Sequence, residues 1–186
     1  MRPPEVLEGA QVRIRRSTLA DSDAVFWAAA DPEVMRFMDW PAHDSEADAR
    51  DYLSGCAQRW TSGDEYHWII EERAAKSPLG CLACRLRGGD ADFGYFIARS
   101  LWGRGYATEA VKLLMSWLMA QPGILRIWAS TDAENRRSIR LLERVGLHPE
   151  ALLKMHTLRP NIGGAPRDTL VYALTRPAAA GACDAT

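Results

Sequence analysis

The stretch LWGRGYATEAVKLLMSW, from Leu101 to Trp117, constrains this chain more than any other. Gly103, Gly105 and the small Ala107 stand between an alternating segment, ADFGYFIA, and a run in which Ala107, Ala110, Val111, Leu114 and Leu118 recur at helical spacing. A strand must therefore turn sharply into a helix. In such a turn the backbone can curl inward with no side chain in the way, and the first amides of the helix have no intrahelical partner. A concave run of N–H groups at the positive end of a helix dipole suits a phosphate. Two glycines alone fit a plain tight turn as well, so the rest of the chain has to decide.

Two nucleotide-binding alternatives fail on their spacing. A dinucleotide fingerprint needs a third glycine or alanine, where GRGYAT has Thr108, and the next strand opens on Arg126 rather than on a ribose-binding acid. No Gly-Lys-Ser/Thr follows for a P-loop. Around the turn, QVRIRRS reads as a strand, and TLADSDAVFWAAA as a helix opened by Thr18 and Asp21 at capping-box spacing. DSEADARDYLSGCAQRW is a second helix capped by Ser45. YHWIIEER, LGCLACRLR and ADFGYFIA form an antiparallel meander with short turns. After the glycine turn and its helix come the strand ILRIWAS, the helix NRRSIRLLERVG with Gly146 as its left-handed stop, and the strand DTLVYALTR. The order β-α-α-β-β-β-α-β-α-β predicts an α+β, three-layer fold with a mixed, mostly antiparallel sheet.

Length and charge narrow the class. At 186 residues and 47% hydrophobic composition the chain can bury one core, expected over residues 1–176, with 177–186 as a flexible tail. A net charge of −1 gives no general pull toward nucleic acid or anionic membrane. Neither the N-terminal MRPPEVLEGAQVRIRR nor any later run has the apolar length of a signal peptide or a membrane span, so a cytoplasmic protein is expected. The pair Cys81 and Cys84 in CLAC falls on a strand, where residues three apart point to opposite faces, too far for a disulfide and wrong for chelation. No second Cys/His pair stands at zinc spacing, so no metal is expected.

GYFIARSLWGRGYATEA resembles the acyl-CoA-binding segment of the GCN5-related N-acetyltransferases (GNAT), particularly the branch of ribosomal-protein N-terminal acetyltransferases and small-amine acetyltransferases. The likeness extends in order to NRRSIRLLERVGLHPEA, similar to that branch's N-x-x-S helix, and to RDTLVYALTR. One departure is Trp102, where the wider superfamily carries Gln or Arg. The resemblance implies acetyl-CoA as cosubstrate, held where two central strands splay apart. Phe96, Ile97 and Ala98 would be backbone partners of pantetheine, and Gly103, Arg104, Gly105, Tyr106, Ala107 and Thr108 would hold the pyrophosphate through their amides. Asn135 would bond the pantetheine arm and Ser138 would sit near the thioester sulfur. Glu109 is read as support for the helix, since a carboxylate beside phosphate is repulsive.

Acyl transfer to an amine needs a neutral amine, a polarised carbonyl and a stabilised thiolate. The Ile97 N–H is the expected carbonyl partner, and the Ser138 hydroxyl the expected donor to the leaving sulfur. A lysine-like amine is neutral at pH 7 at a cost of about 4.6 kcal/mol, whereas an α-amine costs little more than about 1 kcal/mol. Without an unmistakable base in the sequence, an α-amine of a peptide, protein N-terminus or small molecule is the expected acceptor. Asp92 is the candidate base, with His67 and Glu71 as alternatives. Of the N-terminal aromatics Trp27, Phe37, Trp40 and Trp60, most are read as core and Trp40 as a cleft residue. A homodimer is compatible with the chain. The competing class is a non-catalytic acyl-CoA or metabolite-binding module of the same fold.

Overall fold

The computed structural model describes residues 1–176; the stretch 177–186, read above as a tail, lies outside the described residues. Eight strands form one sheet in the order β1-β2-β3-β4-β5-β6-β8-β7. They are β1 (Val6–Glu8), β2 (Val12–Arg16), β3 (Tyr66–Glu72), β4 (Pro78–Arg87), β5 (Asp90–Ile97), β6 (Arg126–Asp132), β7 (His148–Thr157) and β8 (Arg167–Thr175). Every neighbouring pair is antiparallel except β5 with β6. Short turns join β3 to β4 and β4 to β5. Helix α4 (Tyr106–Met119) separates β5 from β6 and provides the crossover that a parallel neighbour requires. The mixed, mostly antiparallel sheet expected from the element order is the one observed.

Two cores hold the layers together. On one face Trp68, Ile70, Leu82 and Phe93 pack with Val111, Leu114 and Leu118 of α4. On the other, Ile69, Cys81 and Phe96 pack with Val25 and Ala29 of α1 (Ser22–Ala29) and Leu53 of α3 (Glu46–Ser62). Because β3 is covered on both faces, YHWII reads as a continuous apolar run rather than an alternation. Cys81 and Cys84 fall into different cores and are free thiols. Ser45 caps α3 in a reciprocal capping box with Asp48, and Gly63 ends it at φ 86°.

Three elements escape sequence periodicity. β1 has three residues and α2 (Pro32–Met35) four, too short to show a period. β7 is an edge strand that buries none of its ten residues fully, so its apolar pattern is weak. Among the N-terminal aromatics, Trp60 is core, but Trp27 is 57% exposed on the outer face of α1, against the core reading.

Candidate active site

The sheet opens between β5 and β6. Only Asp90, Ala91 and Asp92 pair with β6, to Arg126, Ile127 and Trp128; from Phe93 to Ile97 the strand has no partner on that side among the described residues. On its other side β5 pairs with β4 from Asp90 to Ile97. Ala98 N–H donates to Leu79 O at 2.9 Å, which sets the alternation: Asp92, Gly94, Phe96 and Ala98 turn their backbone groups toward β4, and Phe93, Tyr95 and Ile97 turn theirs into the gap. Gly80, paired to Ile97, permits this approach, since a Cβ there would lie 2.1 Å from Phe96 O. A strand edge left unpaired along an open cavity presents its N–H and C=O groups to water or to a ligand. The Ile97 carbonyl already has a partner in the Trp102 indole, which donates to it at 2.7 Å. The same indole carries the Arg137 guanidinium on its face at 4.2 Å, so Trp102 ties the end of β5 to helix α5 (Arg136–Arg144).

At that end of the gap the glycine turn begins. Gly103 and Gly105 have φ 80° and 86°, the left-handed region, and a Cβ on either would meet nothing within 4 Å. Gly105 is the N-cap of α4 and supplies no side-chain cap, in contrast to Ser45 on α3 and Asn135 on α5. The amides of Tyr106, Ala107 and Thr108 are thus the orphan donors of a 14-residue helix. They face a cavity of about 810 Å³ that also reaches Tyr95, Phe96, Ile97, Asn135 and Ser138. Its walls carry Arg36, Arg136, Arg137, Arg140 and Arg144 against Glu33 and Glu134, a cationic excess suited to a polyphosphate. Glu109 is turned away: Gln11 N–H and Nε2 donate to its carboxylate at 2.9 and 3.3 Å, joining α4 to the start of β2.

A second cavity, about 340 Å³, adjoins the first, and Phe37, Met38, Tyr95, Phe96, Asn135 and Ser138 line both. Trp40 forms part of its wall, stacked on Tyr52 at 5.2 Å and edge-on to Phe96 at 6.2 Å. Asp92 lies at the fork of the two strands; Arg85 Nε donates to its Oδ2 at 2.8 Å, and its Oδ1 has no hydrogen bond among the described residues. Ser138 sits in the first turn of α5, where its N–H donates to Asn135 Oδ1 at 3.2 Å and the Tyr95 hydroxyl donates to its Oγ at 3.4 Å. Burial pushes the Tyr95 phenol up to about 12, which keeps it a donor.

Several sequence expectations need correction. The backbone groups of Ala98 are engaged by Leu79 O and Leu101 N, and those of Phe96 face β4, so the free edge belongs to Tyr95 and Ile97; Phe96 contributes its ring. The Arg104 side chain is exposed and outside the cavity wall, so the expectation for this residue rests on its backbone amide alone. Glu71 lies in neither cavity, accepting from Arg13 Nε at 2.6 Å and Arg15 Nε at 2.5 Å. His67 lines the second cavity, but burial lowers its pKa to about 3 and its Nε2 is 3.0 Å from the Tyr52 hydroxyl, so it is a neutral wall residue rather than a base. Sequence reasoning missed Tyr95, and it missed the arginines of α5, although Arg136, Arg140 and Arg144 recur every fourth residue along one face. It also missed the β7–β8 loop. There Asn161 Nδ2 donates to Met35 O and Trp40 O at 2.7 and 2.8 Å, and its Oδ1 accepts from Ala42 N, fastening the loop to the chain that carries Trp40.

Comparison with known proteins agrees with this geometry. Residues 11–148 match the Acetyltransferase (GNAT) domain family. The uncharacterized N-acetyltransferase YoaA of Bacillus subtilis is 27% identical over 175 residues, covering 92% of this chain and 97% of the relative. The uncharacterized N-acetyltransferase p20 of Bacillus licheniformis is 28% identical over 153 residues, 81% of this chain and 86% of the relative. In fold the chain matches Mycobacterium smegmatis RimJ in complex with CoA-disulfide, with TM-score 0.83, 24% identity and coverage of 94% of this chain and 90% of that one. Among the described residues no helix is long and apolar enough to cross a membrane. A split sheet with an uncapped glycine-turn helix at its end and a family match across most of the length lead to one assignment: the chain belongs to the GNAT family of acetyltransferases.

Proposed function

We propose that the protein transfers the acetyl group of acetyl-CoA to the α-amine of a peptide, protein N-terminus or small molecule, by direct attack in the gap between β5 and β6. The carrying observation is the free inner edge of β5, which offers the Tyr95 and Ile97 amides to one cavity wall while the orphan amides of α4 stand at its far end. In this reading the pyrophosphate rests on Tyr106, Ala107 and Thr108, the α5 arginines meet the remaining phosphate charge, and pantetheine continues β5 as a short extra strand. The Asn135 side chain, with Oδ1 committed to its own helix, offers Nδ2 to that arm.

The reaction follows from what the second cavity adds. The amine nitrogen attacks the thioester carbon, and the oxygen that gains charge is met by the Ile97 N–H. Asp92 Oδ1 takes the amine's proton, directly or through one water, while Arg85 holds Oδ2. The C–S bond breaks, and the departing thiolate receives the Ser138 hydroxyl proton in a hydrogen bond, with Tyr95 donating to the same Oγ from behind. The ribosomal L7/L12 alpha-N-protein acetyltransferase RimL and the Salmonella typhimurium enzyme that modifies the N-terminal serine of L7/L12 share the fold, which supports an α-amine acceptor. Thiol release from acetyl-CoA with a panel of peptides, amino acids and polyamines tests the reading. With α-amines, kcat/KM should rise with pH to a plateau near the acceptor's own pKa, and Asp92→Asn should lower it without touching acetyl-CoA affinity. Acetylation of lysine side chains and polyamines, with every α-amine inert, would contradict it.

A further inference from the structure

The second cavity contains a cation that makes no hydrogen bond among the described residues. Arg159, in the loop between β7 and β8, is only 7% exposed and lines this cavity. Its Nε is buried without a hydrogen-bond partner, and none of its guanidinium nitrogens donates to any described residue. The carboxylate nearest to it, Asp132, is 3.8 Å from Nε, beyond hydrogen-bond reach. Asp132 is also committed elsewhere, accepting from Arg167 Nε at 2.7 Å, Arg167 Nη2 at 3.2 Å and Glu134 N–H at 2.9 Å. The other arginines of the cavity are matched, Arg59 to Glu65 at 3.0 Å and Arg85 to Asp92 at 2.8 Å. Asp39 is the one acid of the wall with no ion pair among the described residues.

Arg159 Nε is buried without an acceptor, which is costly, and the guanidinium lines the cavity, where its planar fork matches a carboxylate. The loop is not free to swing the charge away. Arg159 O accepts from Ile162 and Gly163 amides at 2.9 and 3.0 Å, and Asn161 is fastened across the rim to Met35, Trp40 and Ala42. Burial pushes the Arg159 pKa down, against the pull of Asp39 and Asp132.

Resting on the reading of this cavity as the acceptor site, we infer that Arg159 recognises a carboxylate on the acceptor, so that the preferred substrate is an amine with an acid group close to its nitrogen. Arg159, which has no hydrogen bond from its guanidinium, and Asp39, which has no ion pair among the described residues, share one wall and complement such a zwitterion. The acid is either the α-carboxylate of a free amino acid or the side chain of an acidic first residue in a peptide.

Calorimetry on the full chain loaded with CoA tests this with two matched pairs: leucine against leucinamide, and a tripeptide amide beginning with Asp against one beginning with Asn. In one pair the acid should bind at least about tenfold tighter than its amide. Arg159→Met should abolish that advantage, Arg159→Lys should restore part of it, and neither should change the affinity for CoA. Which pair responds identifies the source of the carboxylate. Equal binding within both pairs, no binding by either acid, or a preference that survives Arg159→Met would overturn the inference. The wild-type pairs decide it even if the Met variant does not fold. Thiol release is measured in parallel: release without an acid preference leaves the acetyltransferase reading standing alone, and an acid preference without release does the reverse.

Discussion

The two cavities that meet at Tyr95 and Ser138 are built by opposite means. The larger one is lined by three stretches of chain, 33–38, 95–108 and 134–144, and its distinctive donors are backbone amides contributed by neighbours in sequence, the end of β5 and the first turn of α4 behind the glycine turn. The smaller one draws side chains from α3, β3, β4, β5, β6, α5 and the loops between them, and its wall is held by ion pairs and by Asn161, whose bond to Ala42 spans 119 residues. A backbone site tolerates many sequences but depends on a few conformations. A side-chain site can change its ligand one residue at a time while the cofactor cavity stays as it is. In the proposed reading, recognition of the common cosubstrate belongs to the first and choice of acceptor to the second.

Gly105→Val should strike the first cavity hardest. Its φ of 86° makes a β-branched residue costly by roughly 1 to 3 kcal/mol, yet a Cβ meets no protein atom within 4 Å, so the chain should fold. The new side chain would occupy the phosphate's approach. Acetyl-CoA affinity measured by calorimetry should fall by about 100-fold or more, a loss near 2.7 kcal/mol. Unchanged affinity in a folded variant would remove the turn from the binding account.

Ser138→Ala acts where the cavities join and should separate binding from turnover. Single-turnover kcat should drop about tenfold while acetyl-CoA affinity holds, because the hydroxyl meets charge only as the thiolate forms. Tyr95→Phe should have a smaller effect of the same kind. Full turnover in Ser138→Ala with several acceptors would reduce the serine to a helix residue.

The smallest effect concerns stability on the acceptor side. His67, buried behind Tyr52, has a folded pKa of about 3 because of burial, with the Arg59 charge adding to it. The unfolded chain takes up this proton near pH 6.5 and the folded chain does not, so the stability His67 contributes is complete above about 6.5 and is lost as pH falls from there toward 3. The slope is at most about 1.4 kcal/mol per pH unit. His67→Gln should flatten the fall between pH 7 and 5 in urea melts, and identical slopes would show that the imidazole protonates in place.

How far the sequence could be read follows the same division. The glycine turn, the Asn135 to Ser138 start of α5 and the order of the long elements are local patterns, and local backbone geometry carries them into the fold. Glu109 was legible as a helix support through charge alone. Of Phe96, Ile97 and Ala98, expected on the free edge of β5, only Ile97 turns its backbone into the gap, because register against β4 decides which amides face it and spacing along one strand cannot. Arg159 and Asn161 lie in a loop with no periodicity, and their meaning arises only when the β7–β8 hairpin folds over Trp40. Trp102, a departure from the wider family pattern, is explained by its bond to the Ile97 carbonyl.

The claim that the gap between β5 and β6 receives acetyl-CoA along a free strand edge is tested most directly by residue-resolved amide hydrogen exchange with and without acetyl-CoA. Binding should slow exchange at Tyr95, Ile97, Tyr106, Ala107 and Thr108 by about tenfold or more, and should leave Phe96 and Ala98, already bonded toward β4, nearly unchanged. Protection confined to other parts of the chain, with Tyr95 and Ile97 exchanging as before, would contradict the account.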